Sequence, residues 1–308
     1  MPTRTRPVNS VRGAAAPRPG APARAADINP GAGGPHPVAP GRGAISFSRH
    51  SARSVITHTR AASPLTILTP RTSGPAAWAV CGNHGGGLLA GDHIHLDVRV
   101  GRGAAGVIGT QASTKVYRSP DALPSRQSLY AQVSEDGLLI VAPDPITCFA
   151  SAVYDQRQRI ELSPTSSLVL VDWFTSGRQS RNERWQMTRQ TSRTDIFIDA
   201  RQIVRDVICL DATDGPIGAA SRMGAFNCFA TALLIGPQIE PHAARLLSQI
   251  ASSPFNQPGD LLYSGCAIPG GALFRVADRA TEPVSGWLKY LLAFVPALTG
   301  VDPWGRRH

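Results

Sequence analysis

The chain of 308 residues is 42% hydrophobic and 17% charged, which supplies a folded core and excludes disorder throughout. A formal charge of +10 invites a nucleic-acid reading, yet six arginines against Asp27 put +5 of it into residues 1–44, leaving +5 for the rest. Nucleic acid is gripped by charge clustered on a folded face, so a tail-borne excess argues against that class.

Residues 1–44 hold nine prolines and seven glycines with no aromatic residue. Such a composition cannot bury enough surface to offset its ordering entropy, so a disordered extension is expected there and one large domain over residues 45–308. The arginines at the start are not followed by the apolar run of a secretory signal, and Pro2, Pro7, Pro17, Pro19 and Pro22 oppose the amphipathic helix of a transit peptide. Cys81, Cys148, Cys209, Cys228 and Cys266 are odd in number and never form a CxxC pair, which points to a reducing cytoplasm rather than a disulfide framework or zinc knuckle. The apolar heart of the longest uncharged stretch, Phe226 to Ile235, is too short to cross a bilayer, and no transmembrane segment is expected.

From Ile45 onward, short β-branched or alternating runs recur between Gly, Pro, Ser and Asp, among them HIHLDVRV, AGVIGT, SLYAQV, LLIVA, QRIEL, SLVLVDW and FATALLI. This spacing predicts an all-β body. In HIHLDVRV, His93, His95, Asp97 and Arg99 alternate with Ile94, Leu96, Val98 and Val100, so one face should be buried and the other wet. Gly101, Gly103 and Gly106 spell GxGxxG, the basis of an alternative reading as a nicotinamide-dependent oxidoreductase. That fingerprint needs a helix directly after it, whereas Val107, Ile108, Gly109 and Thr110 read as a strand, and Gly101 to Gly103 as a hairpin turn.

Two segments carry helical spacing instead. Pro241 to Ala251 aligns Ala243, Leu246, Leu247 and Ile250, and a second helix aligns Val284, Trp287, Leu288, Leu291, Leu292 and Val295 between a start at Pro283 and a stop at Pro296. Trp287, Tyr290, Leu291 and Phe294 on the second are candidates for an exposed docking surface.

The chemistry-bearing motifs are few. His93, His95 and Asp97 share one strand face about 6.5–7 Å apart and could converge on a metal, although alternating polar residues more often form a solvated face. No GxSxG elbow, HExxH or P-loop is present, so nothing in the chain specifies a catalytic centre. What stands out is a polar block, Thr110-Gln111-Ala112-Ser113-Thr114-Lys115-Val116-Tyr117-Arg118, whose local alternative is an edge strand and turn.

This block comes after Gly85-Gly86-Gly87-Leu88-Leu89-Ala90-Gly91-Asp92, and the two together closely resemble the urease accessory protein UreD family, called UreH in some organisms. Within the resemblance, Gly86, Gly87, Gly91 and Asp92 form the glycine-rich Gly-Asp segment, and Thr110, Gln111, Thr114, Lys115, Tyr117 and Arg118 the second motif. Further agreement runs through Pro143-Asp144-Pro145, Gln156-Arg157, Asp172-Trp173, Gly177-Arg178 and Glu183-Arg184-Trp185, covering about residues 45–300. Asp172-Trp173 departs from the Trp-Glu order expected of members, and Cys148 stands where proline is common.

The resemblance implies an all-β dominated, β-helical or sandwich-like body with two helices in its C-terminal half. It also implies a non-enzymatic scaffold that joins apo-urease to UreF and the GTPase UreG, as a dimer of heteromeric complexes, so that nickel reaches urease through an internal passage. No tightly bound cofactor is expected, only Ni2+ in transit through weak successive oxygen contacts. Asp92, Asp144, Asp172 and Glu183 are the candidate passage-lining carboxylates, with the Thr110 to Arg118 block shaping the wall or a docking surface.

Overall fold

The computed structural model describes residues 40–252 and 261–304, so most of the expected extension lies outside the described residues. The first strand, β1, spans Arg42–His50 and therefore begins ahead of the expected boundary at Ile45. Here glycine serves close packing: Gly41 has φ +73°, and a Cβ on it would stand 2.0 Å from the His93 carbonyl oxygen. A composition rule reads the same residues as looseness.

After β1 come β2 (Arg53–Ala61), β3 (Leu65–Leu68) and β4 (Ala77–Asn83). From β4 the chain winds as a coil in successive rungs. β4 leads through Leu88, which bridges to Val116, into β5 (His93–Val100). The next rung is β6 (Ala105–Thr110), the short β7 (Thr114–Val116) and β8 (Ser125–Val133). Then come β9 (Leu138–Val141), β10 (Ile146–Cys148) and β11 (Val153–Leu162), and after them β12 (Ser167–Thr175) and β13 (Arg189–Ile198).

Equivalent strands of successive rungs pair in parallel. One sheet runs β13-β11-β8-β5-β1, with antiparallel β2 at one edge and β14 (Arg201–Asp211) at the other. The second runs β12-β9-β6-β4 in parallel and ends in antiparallel β3. On its other side β15 (Cys228–Ile235), β16 (Leu262–Ile268) and β17 (Gly271–Asp278) extend it in the order β15-β17-β16. The short β7 and β10 pair in parallel with each other, and β10 with the end of β12. This is the β-dominated, solenoid-like body that the resemblance implies.

The GxGxxG segment takes its shape from this winding. Gly101 to Ala104 turns the chain from β5 in one sheet to β6 in the other, so it is a corner between sheets rather than a hairpin turn. The Gly103 φ of +61° lets the chain make that corner, and the chain then enters strand β6, not a helix. No dinucleotide fingerprint is formed.

Burial explains the two kinds of strand sequence. In β5 the inward Ile94, Leu96, Val98 and Val100 are buried while its polar residues face out, as expected from the alternation. β12 lies in the sheet covered on both faces and is accordingly a near-continuous apolar run, SLVLVDWFT. Its Leu168, Leu170 and Phe174 point into the core between the sheets, and Val169, Val171 and Trp173 point outward under helices. Each such fully buried large side chain contributes about 1.5–3 kcal/mol.

The covering helices are α1 (Glu240–Ser252), α2 (Thr281–Leu291) and α3 (Val295–Thr299). Pro241 and Pro283 lie in first turns, as expected. Pro296 does not act as the stop: α2 ends at Leu291, and Pro296 opens a third helix, which makes three among the described residues where two were expected. The proposed docking face on α2 is also corrected. Trp287, Leu291 and Phe294 are buried against the sheet, and only Tyr290, 57% exposed, reaches the surface. Among the described residues no helix is long and apolar enough to cross a membrane.

Candidate functional site

Between the two sheets lies a cavity of about 230 Å3 that reaches the surface beside Gly86 and the exposed turn Gln111-Ala112. Its wall gathers Thr110, Gln111 and Thr114 of the polar block with Asp144 and Asp172. Thr110 Oγ1 donates to Asp144 Oδ2 at 3.0 Å and accepts from the Asp144 backbone N–H at 2.7 Å, which fixes that carboxylate at the wall. Cys81 also lines the space, but burial pushes its thiol up to about 12, so it stays protonated and is a poor metal ligand at neutral pH.

Asp172 is the deeper carboxylate. It alternates with Leu168, Leu170 and Phe174 on β12 and so points inward. Its Oδ1 accepts from Gln156 Nε2 at 2.9 Å and its Oδ2 from the Ser192 hydroxyl. Burial raises the Asp172 pKa above the ordinary value, the two hydrogen bonds oppose the rise, and Asp206 adds to it. Among the described residues Asp172 forms no ion pair.

Register extends this polarity along the coil. Gln127, Gln156 and Ser192 are successive partners on the inner face of β8, β11 and β13. Beside them Gln158, Thr194 and Asp206 form a second column. Across the interior, Asp172 is paired in register with Thr231 and Thr231 with Arg275, whose guanidinium bonds Asp206. Tyr154 Oη lies 2.5 Å from Gln127 Oε1 and 2.8 Å from Gln156 Oε1, and its single proton serves one of them at a time. A polar line thus runs inside the apolar core from the cavity wall to the Asp206–Arg275 pair.

The other two candidate carboxylates lie outside the cavity. Asp92 Oδ2 accepts from the Leu89 backbone N–H at 2.8 Å and closes the Gly-Asp turn. Glu183 pairs with Arg178, which holds its carboxyl below the ordinary range, and accepts from the Ala150 N–H at 3.3 Å. Arg178 in turn lies 4.0 Å over the Phe149 ring, and Tyr117 meets the same ring edge-on at 5.3 Å. The structure therefore divides the four: Asp144 and Asp172 share the cavity, while Asp92 and Glu183 brace its surroundings.

Gln127, Gln156, Ser192 and Thr231 escape a reading that takes polar residues on strands as solvated. A signal existed. In β11, Gln156 and Gln158 share their alternation with Ile160 and Leu162, whereas Arg157, Arg159 and Glu161 share the other face. The His93, His95 and Asp97 face forms local hydrogen bonds, His95 Nε2 to Asp97 at 3.0 Å and both imidazoles to the Ser128 hydroxyl. Among the described residues no group of three or more His, Cys, Asp or Glu is arranged to hold a metal ion.

With this geometry in hand, comparison with known proteins is decisive. The model of the UreD urease accessory protein family matches residues 39–307. The chain belongs to the UreD urease accessory protein family. A relative named urease accessory protein UreD, from Sorangium cellulosum, is 42% identical over 87% of this chain and 84% of its own length. One of the same name from Anaeromyxobacter is 38% identical over 86% of this chain and 89% of its own. Urease accessory protein D of Oryza sativa is 32% identical over 85% of this chain and 94% of its own. The UreD match covers both motifs and the whole coil, and membership carries a role in urease maturation.

Proposed function

We propose that the chain is a non-catalytic scaffold that joins apo-urease to UreF and UreG in the cytoplasm and carries nickel to urease through its interior. The observation that supports this most is the polar line from Asp144 and Asp172 toward Asp206, enclosed by apolar strands. Such a line of carboxylate, amide and hydroxyl oxygens offers a divalent ion successive weak contacts and no closed cage, which suits transit rather than storage. The Thr231 hydroxyl beside Asp172 has no protein hydrogen-bond partner among the described residues, which suits a hydrated path.

Asp172 also links passage to protons. Its raised pKa reflects burial without a counter-charge, and a nearby dication supplies that charge and so favours the carboxylate over the protonated form. Asp92 and Glu183 act in this scheme by holding the Gly-Asp turn beside the mouth and the Arg178 guanidinium over the Phe149 ring, rather than by touching the ion.

The test is to express the urease operon with and without this chain and to measure nickel in the purified urease. Nickel occupancy falls severalfold without it, and equal occupancy in the two preparations overturns the maturation reading.

A further inference from the structure

The Gly86-Gly87 strip has two sides. One lines the cavity. On the other, a Cβ added to Gly87 would meet the Lys115 carbonyl oxygen at 2.6 Å and the Tyr117 ring at 2.7 Å. The mouth is thus continuous with an outer corner of the coil, where Thr114 and Val116 point inward and Lys115 points out.

Two large apolar side chains are exposed at this corner, Leu89 at 60% and Leu123 at 50%. They belong to one patch: Leu123 packs over Gly91, two residues from Leu89, and Ser125 Oγ donates to the Leu89 carbonyl at 2.8 Å. Beside them the Tyr117–Phe149–Arg178–Glu183 stack makes a braced shelf. Lys115, Arg118 and Arg181 are exposed; Lys115 and Arg118 have no hydrogen-bond or ion-pair partner among the described residues, Arg181 acts on Glu183 through space, and the exposed Asp121 leaves the corner net positive. The outer face of the first sheet is different. There Arg159, Arg189, Arg193 and Arg205 are matched by Glu161, Asp155 and Asp195, while Arg99, Arg126 and Arg157 form no ion pair among the described residues, so what sets the corner apart is unpaired positive charge joined to two exposed leucines.

We propose that this corner docks an acidic protein segment with apolar side chains, of the kind an acidic amphipathic helix presents, against the mouth of the cavity. Leu89 and Leu123 take the apolar side chains, Lys115, Arg118 and Arg181 meet the carboxylates, and the braced shelf keeps the ordering cost of binding low. Charge decides the occupant. A second copy of a chain at +10 is repelled as a whole, and this chain's own first 39 residues are arginine-rich and of the same sign. A lipid surface is disfavoured because two leucines bury less than one acyl chain, which by itself anchors only marginally. The placement beside the mouth rests on the passage reading; the binding does not.

The experiment measures binding of purified UreF, UreG and apo-urease from the same operon to the full chain at low and moderate salt. The wild type is compared with Lys115→Glu/Arg118→Glu, Leu89→Ser/Leu123→Ser and Arg102→Glu, the last in the turn at the opposite end of β5. At least one of the three proteins binds the wild type in a salt-dependent way, about tenfold or more tightly than it binds either double variant. Arg102→Glu binds as the wild type does, and melting temperatures stay close because every altered side chain is exposed. The proposal is overturned if none of the three binds, if the double variants bind normally, if Arg102→Glu is equally impaired, or if the variants lose only phosphatidylserine vesicles. Loss of binding in the double variants while urease nickel is independent of this chain would retain the docking site and discard the passage.

Discussion

The Asp172 carboxyl is held inside the coil by Gln156 and Ser192 and forms no ion pair among the described residues, an arrangement that costs stability and that, under the proposed function, would serve an ion in transit. Its folded pKa lies above the unfolded value, so the folded state holds the proton more tightly. The stabilisation is complete below the ordinary carboxylate pKa of 3.8 and is lost as pH rises through the raised folded value. Glu183 has the opposite sign: Arg178 depresses its pKa, and its contribution is lost as pH falls through that depressed value. Asp172→Asn keeps the shape, removes the buried titrating group, and places an amide where Ser192 can accept. The variant therefore melts above the wild type at neutral pH, with the gain shrinking as pH falls toward the carboxylate range, while nickel in co-expressed urease drops. Calorimetry across pH and metal analysis check both halves. A lower melting temperature with unchanged nickel would sink the assignment.

Among the elements, the Gly-rich segment shows how a motif can be required for packing alone. Gly87 has φ 167°, an extended backbone open to any residue, so its requirement is space. Leu88 N donates to the Lys115 carbonyl at 2.8 Å, and an added methyl at position 87 would strike that carbonyl and Tyr117 together. Gly87→Ala should cost about 1–3 kcal/mol, read as a lower urea midpoint at unchanged slope. A wild-type midpoint would show that the corner yields freely. The strand HIHLDVRV was legible because one of its faces meets water and the other the core, and α1 because its buried apolar stripe and wet face alternate in helical period. β7 and β10, three residues each, are too short to carry a period, and the break between α2 and α3 lies inside a continuous apolar stretch. The corner at Gly101 was misread for a physical reason: a turn within one sheet and a turn between two sheets ask for the same residues. Of the site, the motifs marked the cavity wall, but Gln127, Gln156 and Ser192 meet across rungs that no local pattern joins.

For the whole molecule, that same nonlocality governs assembly. His93 pairs with Arg126, Ser125 with Tyr154 and Tyr154 with Gln190, neighbours separated by 33, 29 and 36 residues, so each rung must close a long loop before its pairing helps. Refolding from urea should accordingly take seconds or longer, since parallel pairing is slow and large domains populate intermediates. The coil also leaves strand edges exposed while it forms. β16 is the edge beyond β17, it carries Leu262 at 44% exposure, and an exposed apolar edge templates pairing between chains. Refolded yield should then fall as protein concentration rises. A lysine at an edge discourages such pairing, so Leu262→Lys should raise the yield at high concentration without changing the refolding rate at high dilution. Tryptophan fluorescence tracks the rate and light scattering the loss. If the variant aggregates as the wild type does, the vulnerable edge lies elsewhere, and β14 with its exposed Val207 becomes the strand to alter.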